Sequence, residues 1–304
     1  MITQILSLAF FAQTIRITVP YALASVGGVY SERGGVTNIA LEGIMLNGAF
    51  CATVGTYYTG SPFIGILAGL AGGLVTALIH AVISINIKAD QIISGVAINL
   101  FAVGITKFVL EILFHSSSNS ERIIGLPHVN LPFVGSTGEL SRLLGNPLVL
   151  LTILIVVASH FIIFRTRFGL RLRSVGENPE AADTAGISVT RYRYYGVMIS
   201  GLLAGLSGTW LAFDQHSFTD GMSAGRGFIA LAAMIVGKWN PLGAAAACLL
   251  FGFAESLQIQ LQGAGLPTQF IQMIPYVATI VVLAGFIGKS IAPAADGIPY
   301  EKEK

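Results

Sequence analysis

Charged residues are scarce in this sequence. Asp, Glu, Lys and Arg together make up 11% of its 304 residues, whereas a soluble globular protein carries about 25%. A surface with so few charges would not keep a monomer in solution. Because 54% of the residues are apolar and the mean hydropathy is +0.75, the composition indicates an integral membrane protein with one bilayer-embedded domain. The net charge of +2 gives no basis for binding nucleic acid.

Cysteine and histidine are also rare, and several motifs are absent. Cys51 and Cys248 both lie in apolar runs, which favours buried free thiols over a disulfide scaffold. The five histidines are scattered and form no His-Glu-x-x-His pattern, so no metal site is expected. A phosphate loop ending at 288–290 would need glycine where Leu283 stands. We therefore expect no catalytic residue, no cofactor and no ATP hydrolysis by this chain.

Long apolar runs are what the sequence has in abundance. A helix of about 20 apolar residues crosses the hydrocarbon core of a bilayer. Runs of suitable length lie at 3–28, 36–58, 62–86, 91–114, 147–164, 195–213, 222–237, 241–262 and 268–288. They predict an all-α, polytopic helix bundle with about nine (eight to ten) spans. Residues 1–290 would form this single transmembrane domain, and residues 291–304 would form a polar tail.

Basic residues predict the orientation of the bundle. Six arginines crowd the connection 165–195, namely Arg165, Arg167, Arg171, Arg173, Arg191 and Arg193. The positive-inside rule places that connection in the cytoplasm. Because successive spans run in opposite directions, the loops near Arg33, Lys88 and Lys238 would lie on the same side. The tail would lie on that side too. This pattern needs the run 222–237 to cross, although a helix of that length reaches only about 24 Å and could be re-entrant.

A short helix is predicted inside the cytoplasmic connection, over residues 178–186. Asn178 suits the N-cap and Pro179 suits the first helical position. Glu180 places negative charge in the first turn, and Gly186 can end the helix. So short a helix is marginal in water by itself. It therefore needs a surface to dock on, which is either a cytoplasmic partner or the helix bundle itself.

This connection resembles a known family. The stretch from Phe168 to Ile187, together with 35–43, 235–243 and the pair Pro275-Tyr276, is similar to the membrane-spanning permeases of ATP-binding-cassette (ABC) importers. The similar branch includes ribose, branched-chain amino acid and nucleoside permeases. The resemblance implies that the short helix is the coupling helix that contacts the ATPase subunit. The residues that would carry this role are Glu177, Asn178, Pro179, Glu180, Ala181, Ala182, Asp183 and Gly186.

The resemblance also implies a substrate and partners. The sequence at 31–47 and 168–187 is most similar to that of nucleoside permeases, and sugar permeases are close relatives. The implied partners are a cytoplasmic ABC ATPase, a second homologous permease and an extracellular substrate-binding lipoprotein, in the inner or plasma membrane of a bacterium. An ion-coupled secondary transporter is the rival interpretation, although it gives the arginine-rich connection and its capped helix no role.

Few polar groups lie inside the predicted spans, and each is costly there. Glu42 follows Asn38 by four residues, and Asn47 lies about one turn further. These three either line a substrate path or satisfy broken backbone near the Gly34-Gly35 turn. Asn99, in the middle of another span, could hydrogen-bond a substrate hydroxyl or a neighbouring helix. Two further charges, Lys107 and Glu111, are spaced to form an ion pair with each other, and Glu255 shares a helix face with Gln258 and Gln262.

Overall fold

The protein was analysed as a computed structural model that describes residues 7–127, 145–262, 268–274, 277, 280, 281 and 290–302. Within these ranges the secondary structure is helical, and the one β pairing is an isolated antiparallel bridge between Asn119 and Thr219. The helices are α1 Leu8–Arg33, α2 Leu41–Thr59, α3 Pro62–Ala81, α4 Gln91–Phe114, α5 Pro147–Arg165, α6 Arg167–Glu177, α7 Pro179–Thr184, α8 Val189–Gln215, α9 Arg226–Val236, α10 Pro241–Leu261 and α11 Thr268–Gln272. A π-helical turn, Val82–Asn86, extends α3.

Five of these helices are long and apolar enough to cross a membrane: α3 with its π turn, α4, α5, α8 and α10. The prediction of an all-α, multi-pass membrane protein is confirmed for the part of the chain described. The predicted count of about nine spans is not confirmed by these five. The last predicted span, 268–288, lies mostly outside the described residues, as do Pro275 and the kink expected there.

The centre of the bundle is formed by α1, α2 and α8. α8 packs against α1, α2 and α3, and α10 packs against α1. Glycines allow the close approach: a Cβ on Gly48 would lie 2.6 Å from the backbone of Gly205, and a Cβ on Gly208 would overlap the carbonyl oxygen of Met45. Small residues at such crossings let helix backbones pack tightly in lipid. Because α1 and α2 bury against protein, they tolerate more polar residues than the helices at the periphery.

Two segments of irregular backbone interrupt the bundle, and both shift the predicted boundaries. α1 continues past residue 28 to Arg33, and α2 begins at Leu41, five residues after the predicted start of that span. Residues 34–40 between them form the first break, where Gly35 adopts φ +81°. Residues 217–225 form the second break, which leaves α9 with 11 residues, fewer than the predicted run 222–237. Residues 8–14 are continuous with the rest of α1.

Candidate functional site

Two short helices form the arginine-rich connection between α5 and α8. α6 begins after Thr166, whose hydroxyl accepts a hydrogen bond from the backbone N–H of Gly169 at 3.2 Å. α7 begins after Asn178, whose side-chain oxygen accepts from the N–H of Ala181 at 2.9 Å, and Pro179 takes the first position. The predicted cap of this helix is therefore confirmed. Its length is six residues, because it ends at Thr184 before the turn at Gly186.

α7 rests on the bundle with one face and leaves the other uncovered. Ala182 is 3% exposed and packs with Val175 of α6 and Val189 of α8. Glu180 and Ala181 are exposed. One of the two alternatives considered for this helix is thus observed, because its inner face is folded back on its own chain. Its outer face is open, and the docking of a cytoplasmic partner there stays a prediction. A helix that is marginal in water gains its position from the inner contact.

The end of α6 is locked to the end of α1. A Cβ on Gly176 would overlap the carbonyl oxygen of Arg33, so only glycine permits this approach. The Arg33 guanidinium donates from Nε to the carbonyl oxygen of Trp239 at 3.0 Å, and its Nη1 lies 3.7 Å from the Glu177 carboxylate. These two contacts join α1, α6 and the α9–α10 turn. Motion of α6 would therefore be transmitted to α1.

The C-terminal segment (290–302) crosses the same end of the bundle. The sequence predicted a polar tail here, and the structure packs it on the loops, with Ala295 6% exposed. Its contacts reach the α3–α4 loop, the α5–α8 connection and the end of α9. They are Ser290 Oγ to the Ile235 carbonyl at 2.9 Å, Ala295 N–H to the Gly176 carbonyl at 2.9 Å, Lys88 to Glu301 at 2.7 Å and Lys302 to Asp183 at 3.3 Å. The basic loops predicted to share one side thus meet at one end.

The C-terminal segment carries a buried carboxyl group, Asp296. Burial raises the pKa of Asp296 to about 6, although hydrogen bonds from Thr37 and Gly297 and the nearby charge of Arg193 act in the opposite direction. Arg193 is 1% exposed, and its Nε and Nη2 have no hydrogen-bond partner among the described residues. On the other side, Glu32 accepts a hydrogen bond from Trp239 Nε1 at 2.5 Å. The segment is therefore fastened by polar groups that are largely withdrawn from solvent.

The first break is sealed by side chains from two other helices, α3 and α4. Gln91 Oε1 accepts from the N–H of Thr37 at 2.8 Å, and His80 Nε2 lies 3.0 Å from the Thr37 carbonyl oxygen. Asn99 Nδ2 donates to the Ile39 carbonyl at 2.9 Å, and its Oδ1 accepts from the N–H of Gly43 at 2.8 Å. Irregular backbone at membrane depth is tolerated only where such partners exist. Asn99 therefore has a structural role in this break.

The other three predicted path residues lie around the start of α2. Asn38 is fully buried and donates to Ser200 Oγ at 2.9 Å. Asn47 is half-buried, donates to Thr76 Oγ1 at 3.0 Å and lines a cavity between α2, α3 and α4. Glu42 is half-buried and faces α9. The structure therefore brings Asn38 and Asn99 to the first break, Glu42 to the start of α9, and Asn47 to the cavity between α2, α3 and α4.

Glu42 caps the second break. Its two carboxylate oxygens accept hydrogen bonds from the N–H groups of Gly225, at 2.8 Å, and Gly227, at 2.6 Å. These N–H groups belong to the start of α9, where a negative charge is stabilised by the helix dipole. Gly227 has no room for a side chain, since a Cβ there would lie 2.5 Å from Glu42 Cα. The start of α2 thus holds the start of α9.

Three further polar residues meet beside this cap. Arg226 Nη2 lies 3.3 Å from Glu255 Oε1, and the hydroxyl of Tyr21 donates to the other oxygen of Glu255. We call Tyr21, Glu42, Arg226 and Glu255 the mid-depth cluster. Glu42 and Glu255 stand out in the sequence as acids inside apolar runs, but no local pattern connects them or points to Tyr21 and Arg226. The available signal was an arginine inside an apolar run, whose partner is 29 residues further along the chain.

Other predicted polar contacts are placed as follows. Lys107 was expected to pair with Glu111, but its Nζ lies 3.1 Å from Asp220 Oδ2 in the second break. Cys51 and Cys248 are free thiols, as predicted. Among the described residues, no group of three His, Cys, Asp or Glu side chains could hold a metal ion.

Comparison with known proteins agrees with this architecture. The sequence pattern of the family described as "Branched-chain amino acid transport system / permease component" matches residues 10–283. The chain is 42% identical to the guanosine ABC transporter permease protein NupQ of Bacillus subtilis, covering 100% of this chain and 99% of that protein. It is 43% identical to the nucleoside ABC transporter permease protein NupC of Lactococcus lactis, covering 96% of each.

One solved structure shares the fold. It is a metal-chelate type ABC transporter in an inward-facing conformation, with a TM-score of 0.50 and 13% identity, covering 93% of this chain and 88% of that one. The match along residues 10–283 and the identity over full-length permeases decide the assignment. The chain belongs to the family of branched-chain amino acid transport system permease components, which are membrane-spanning subunits of ABC transporters.

Proposed function

We propose that this chain is the permease subunit of an ABC importer and forms the translocation path for nucleosides. The observation that carries the proposal is the identity of 42% and 43% to a guanosine and a nucleoside permease over nearly the whole chain. A full-length match of this size extends to the helices that contact the substrate as well as to the scaffold. ATP hydrolysis would be the work of a separate ATPase subunit.

The ATPase would dock on α7 and the residues around it. The coupling residues proposed are Glu177, Asn178, Pro179, Glu180, Ala181, Ala182, Asp183 and Gly186. The support is geometric: the inner face of α7 is fixed by Ala182, and the outer face with Glu180 and Ala181 is open. The contact of Gly176 with Arg33 then gives a direct route from the ATPase to α1.

We propose that this chain crosses the membrane nine times. To the five long apolar helices the proposal adds α1, α2, the second break with α9, and the run 268–288. Support for the crossings of α9 and of the run 268–288 comes from contacts at the basic end of the bundle. Lys238 follows α9 at the basic end, where its carbonyl accepts from Arg33 at 3.2 Å, and Ser290 reaches the same end. The chain must therefore return there after α10.

Substrate would pass near the start of α2. Of the four path residues proposed from the sequence, Glu42 and Asn47 are half-buried and would line the path. Asn38 and Asn99 would hold the first break that shapes it. The proposed partners beyond the ATPase are a second homologous permease and an extracellular substrate-binding lipoprotein, in the inner or plasma membrane of a bacterium.

The test of the ATPase contact is a pull-down from mild detergent. The tagged chain would be compared with the double variant Glu180→Arg/Ala181→Arg, which changes only the exposed face of α7. A control, Ser117→Arg/Ser118→Arg, introduces two arginines into an exposed loop at the opposite end. We expect wild type and control to retain an ABC ATPase and the α7 variant to lose at least nine-tenths of it while staying monodisperse, an effect on the order of 1.4 kcal/mol or more.

The test of the substrate is uptake of radiolabelled guanosine into cells that lack their own nucleoside transport and express the complete transporter. Uptake should depend on ATP and should survive collapse of the ion gradient. Uptake that persists without ATP and stops with the ion gradient would instead identify an ion-coupled transporter. Uptake no greater than in cells with an empty vector would reject the nucleoside assignment.

A further inference from the structure

The mid-depth cluster lies well inside the hydrocarbon region. Tyr21 is the fourteenth of the 26 residues of α1. Arg226 begins α9, whose 11 residues rise about 16 Å from the basic end. Glu255 is the fifteenth of the 21 residues of α10, about 9 Å from the end opposite the basic loops. Three helices of different length thus bring their polar residues to a similar depth.

The charged members of this cluster are only partly covered. The Arg226 side chain is 24% exposed and the Glu255 side chain is 19% exposed, and the neighbouring Ala224 is exposed. An ionised side chain at this depth cannot face lipid without a large cost, so it faces protein or a water-filled cavity. Their open side is therefore expected to border water or a partner subunit rather than acyl chains.

The charges of the cluster are already balanced. Arg226 pairs with Glu255, and the Glu42 carboxylate is held by two N–H groups at the positive end of α9. A charged substrate would leave one of these groups without its counterpart. An uncharged solute with several hydroxyl groups could exchange hydrogen bonds with the guanidinium, the carboxylate and the Tyr21 hydroxyl without changing the net charge. The balance therefore favours a neutral, hydroxyl-rich solute over an amino acid zwitterion.

We propose that Tyr21, Arg226 and Glu255 line the water-filled part of the translocation path and hydrogen-bond an uncharged, hydroxyl-rich solute during passage. Nucleosides belong to this chemical class, so the inference rests on the proposed function and adds the residues that contact the substrate. Glu42 acts as a positioning residue, because it holds α9 and thereby places Arg226 opposite Glu255.

The first test measures whether the open side of the cluster is wet. In the complete transporter with Cys51→Ala and Cys248→Ala, a single cysteine is placed at Ala224 or, as a control, at Leu100. Leu100 is 71% exposed on α4, near its middle, and its exposed neighbours are apolar. A hydrophilic thiol reagent is applied to right-side-out and to inverted vesicles. We expect the Ala224→Cys variant to react at least tenfold faster than Leu100→Cys in one of the two orientations.

The second test asks whether Glu255 contacts the substrate. Glu255→Gln should lower the maximum uptake rate, measured with saturating guanosine-loaded binding protein, at least tenfold. The guanosine concentration that gives half of the maximum rate should be unchanged, since the external binding protein sets it. Glu255→Asp should restore part of the rate. Glu111→Gln, an exposed acid on α4, is the matched control and should transport like wild type.

Either of two outcomes would overturn the inference. Equal reaction rates at Ala224→Cys and Leu100→Cys would show that the cluster faces lipid or buried protein. Normal uptake by a well-folded Glu255→Gln variant would show that the carboxylate is only structural. Failure of the proposed function is distinguishable from both, because the wild-type transporter would then take up no guanosine in the same vesicles.

Discussion

The two breaks in the bundle solve the same problem with different chemistry. In the first break, residues 34–40, the backbone of Thr37 and of Ile39 bonds to neutral side chains, Gln91 and Asn99. In the second break, residues 217–225, the free N–H groups at the start of α9 bond to a carboxylate, Glu42. Gln91 and Asn99 are buried, whereas the charged groups beside the second break are partly exposed.

This difference separates a scaffold from a working surface. A neutral amide satisfies a buried backbone at little electrostatic cost, so it suits a site that never opens. A carboxylate or guanidinium is costly in the same place unless it is paired and borders water. The first break is therefore interpreted as the fixed hinge between α1 and α2, and the second as the part of the bundle that meets the substrate.

The largest expected effect comes from breaking the second region. Glu42→Ala leaves the N–H groups of Gly225 and Gly227 without acceptors at the start of α9. A buried unsatisfied donor costs about 1–3 kcal/mol. We expect the melting temperature in detergent to fall by on the order of 5 °C or more, with loss of guanosine uptake.

The control for Glu42 is Glu111→Ala, which removes an exposed acid from α4. Its melting temperature should stay within about a degree of wild type, because surface substitutions change stability by about 0.5 kcal/mol or less. A Glu42→Ala variant as heat-stable as this control would contradict the assignment of Glu42 as the cap of α9.

A smaller effect is expected from opening the first break. Asn99→Ala removes one acceptor, for the Gly43 N–H, and one donor, for the Ile39 carbonyl. The free energy of unfolding should fall by about 1–3 kcal/mol, which is measured as a lower melting temperature. The adjacent substitution Leu100→Ala changes a side chain that is 71% exposed and should leave the melting temperature nearly unchanged. Equal melting temperatures for the two variants would contradict the structural role assigned to Asn99.

The smallest expected effect is a pH dependence of the attachment of the C-terminal segment to the first break. Asp296 of this segment hydrogen-bonds Thr37 of the break. Burial raises the pKa of Asp296 to about 6, whereas a detached, solvated Asp ionises near pH 4. The attached segment therefore favours the protonated form. Its attachment should be strongest below about pH 4, weaken as the pH rises to about 6, and change little above that. The charged and titratable groups facing Asp296 are Glu32 and Arg193, and Tyr300 lies near Arg193.

Hydrogen exchange of residues 292–298 checks this prediction. After correction for the intrinsic rate, protection should be lower at pH 7 than at pH 5 in wild type, and the difference should shrink in Asp296→Asn. Glu301→Gln is the control, because Lys88 holds the pKa of Glu301 below its usual range and keeps it charged throughout. An unchanged pH difference in Asp296→Asn would assign the effect to another group.

Much of the fold followed from patterns that are local in the chain. The cap at Asn178, the first-turn Pro179 and the apolar runs over α3, α4, α5 and α10 were each predicted from residues close together in sequence. The boundaries of α1, α2 and α9 were not, because they end where a distant side chain satisfies the backbone. Glu42 is 183 residues from Gly225, and no local pattern joins them.

The sequence by itself determined that the chain is a multi-pass helical membrane protein with a capped helix in its arginine-rich connection, because composition, hydropathy and capping act over a few residues. Its motifs also indicated the permease family. Only the tertiary structure decided which polar residues seal the backbone and which remain partly open. Asn99 and Glu42 look alike as polar residues in apolar runs, but burial and hydrogen bonding are set by which helices pack together. That pairing is a property of the whole bundle, so the mid-depth cluster emerges only when α1, α9 and α10 are assembled.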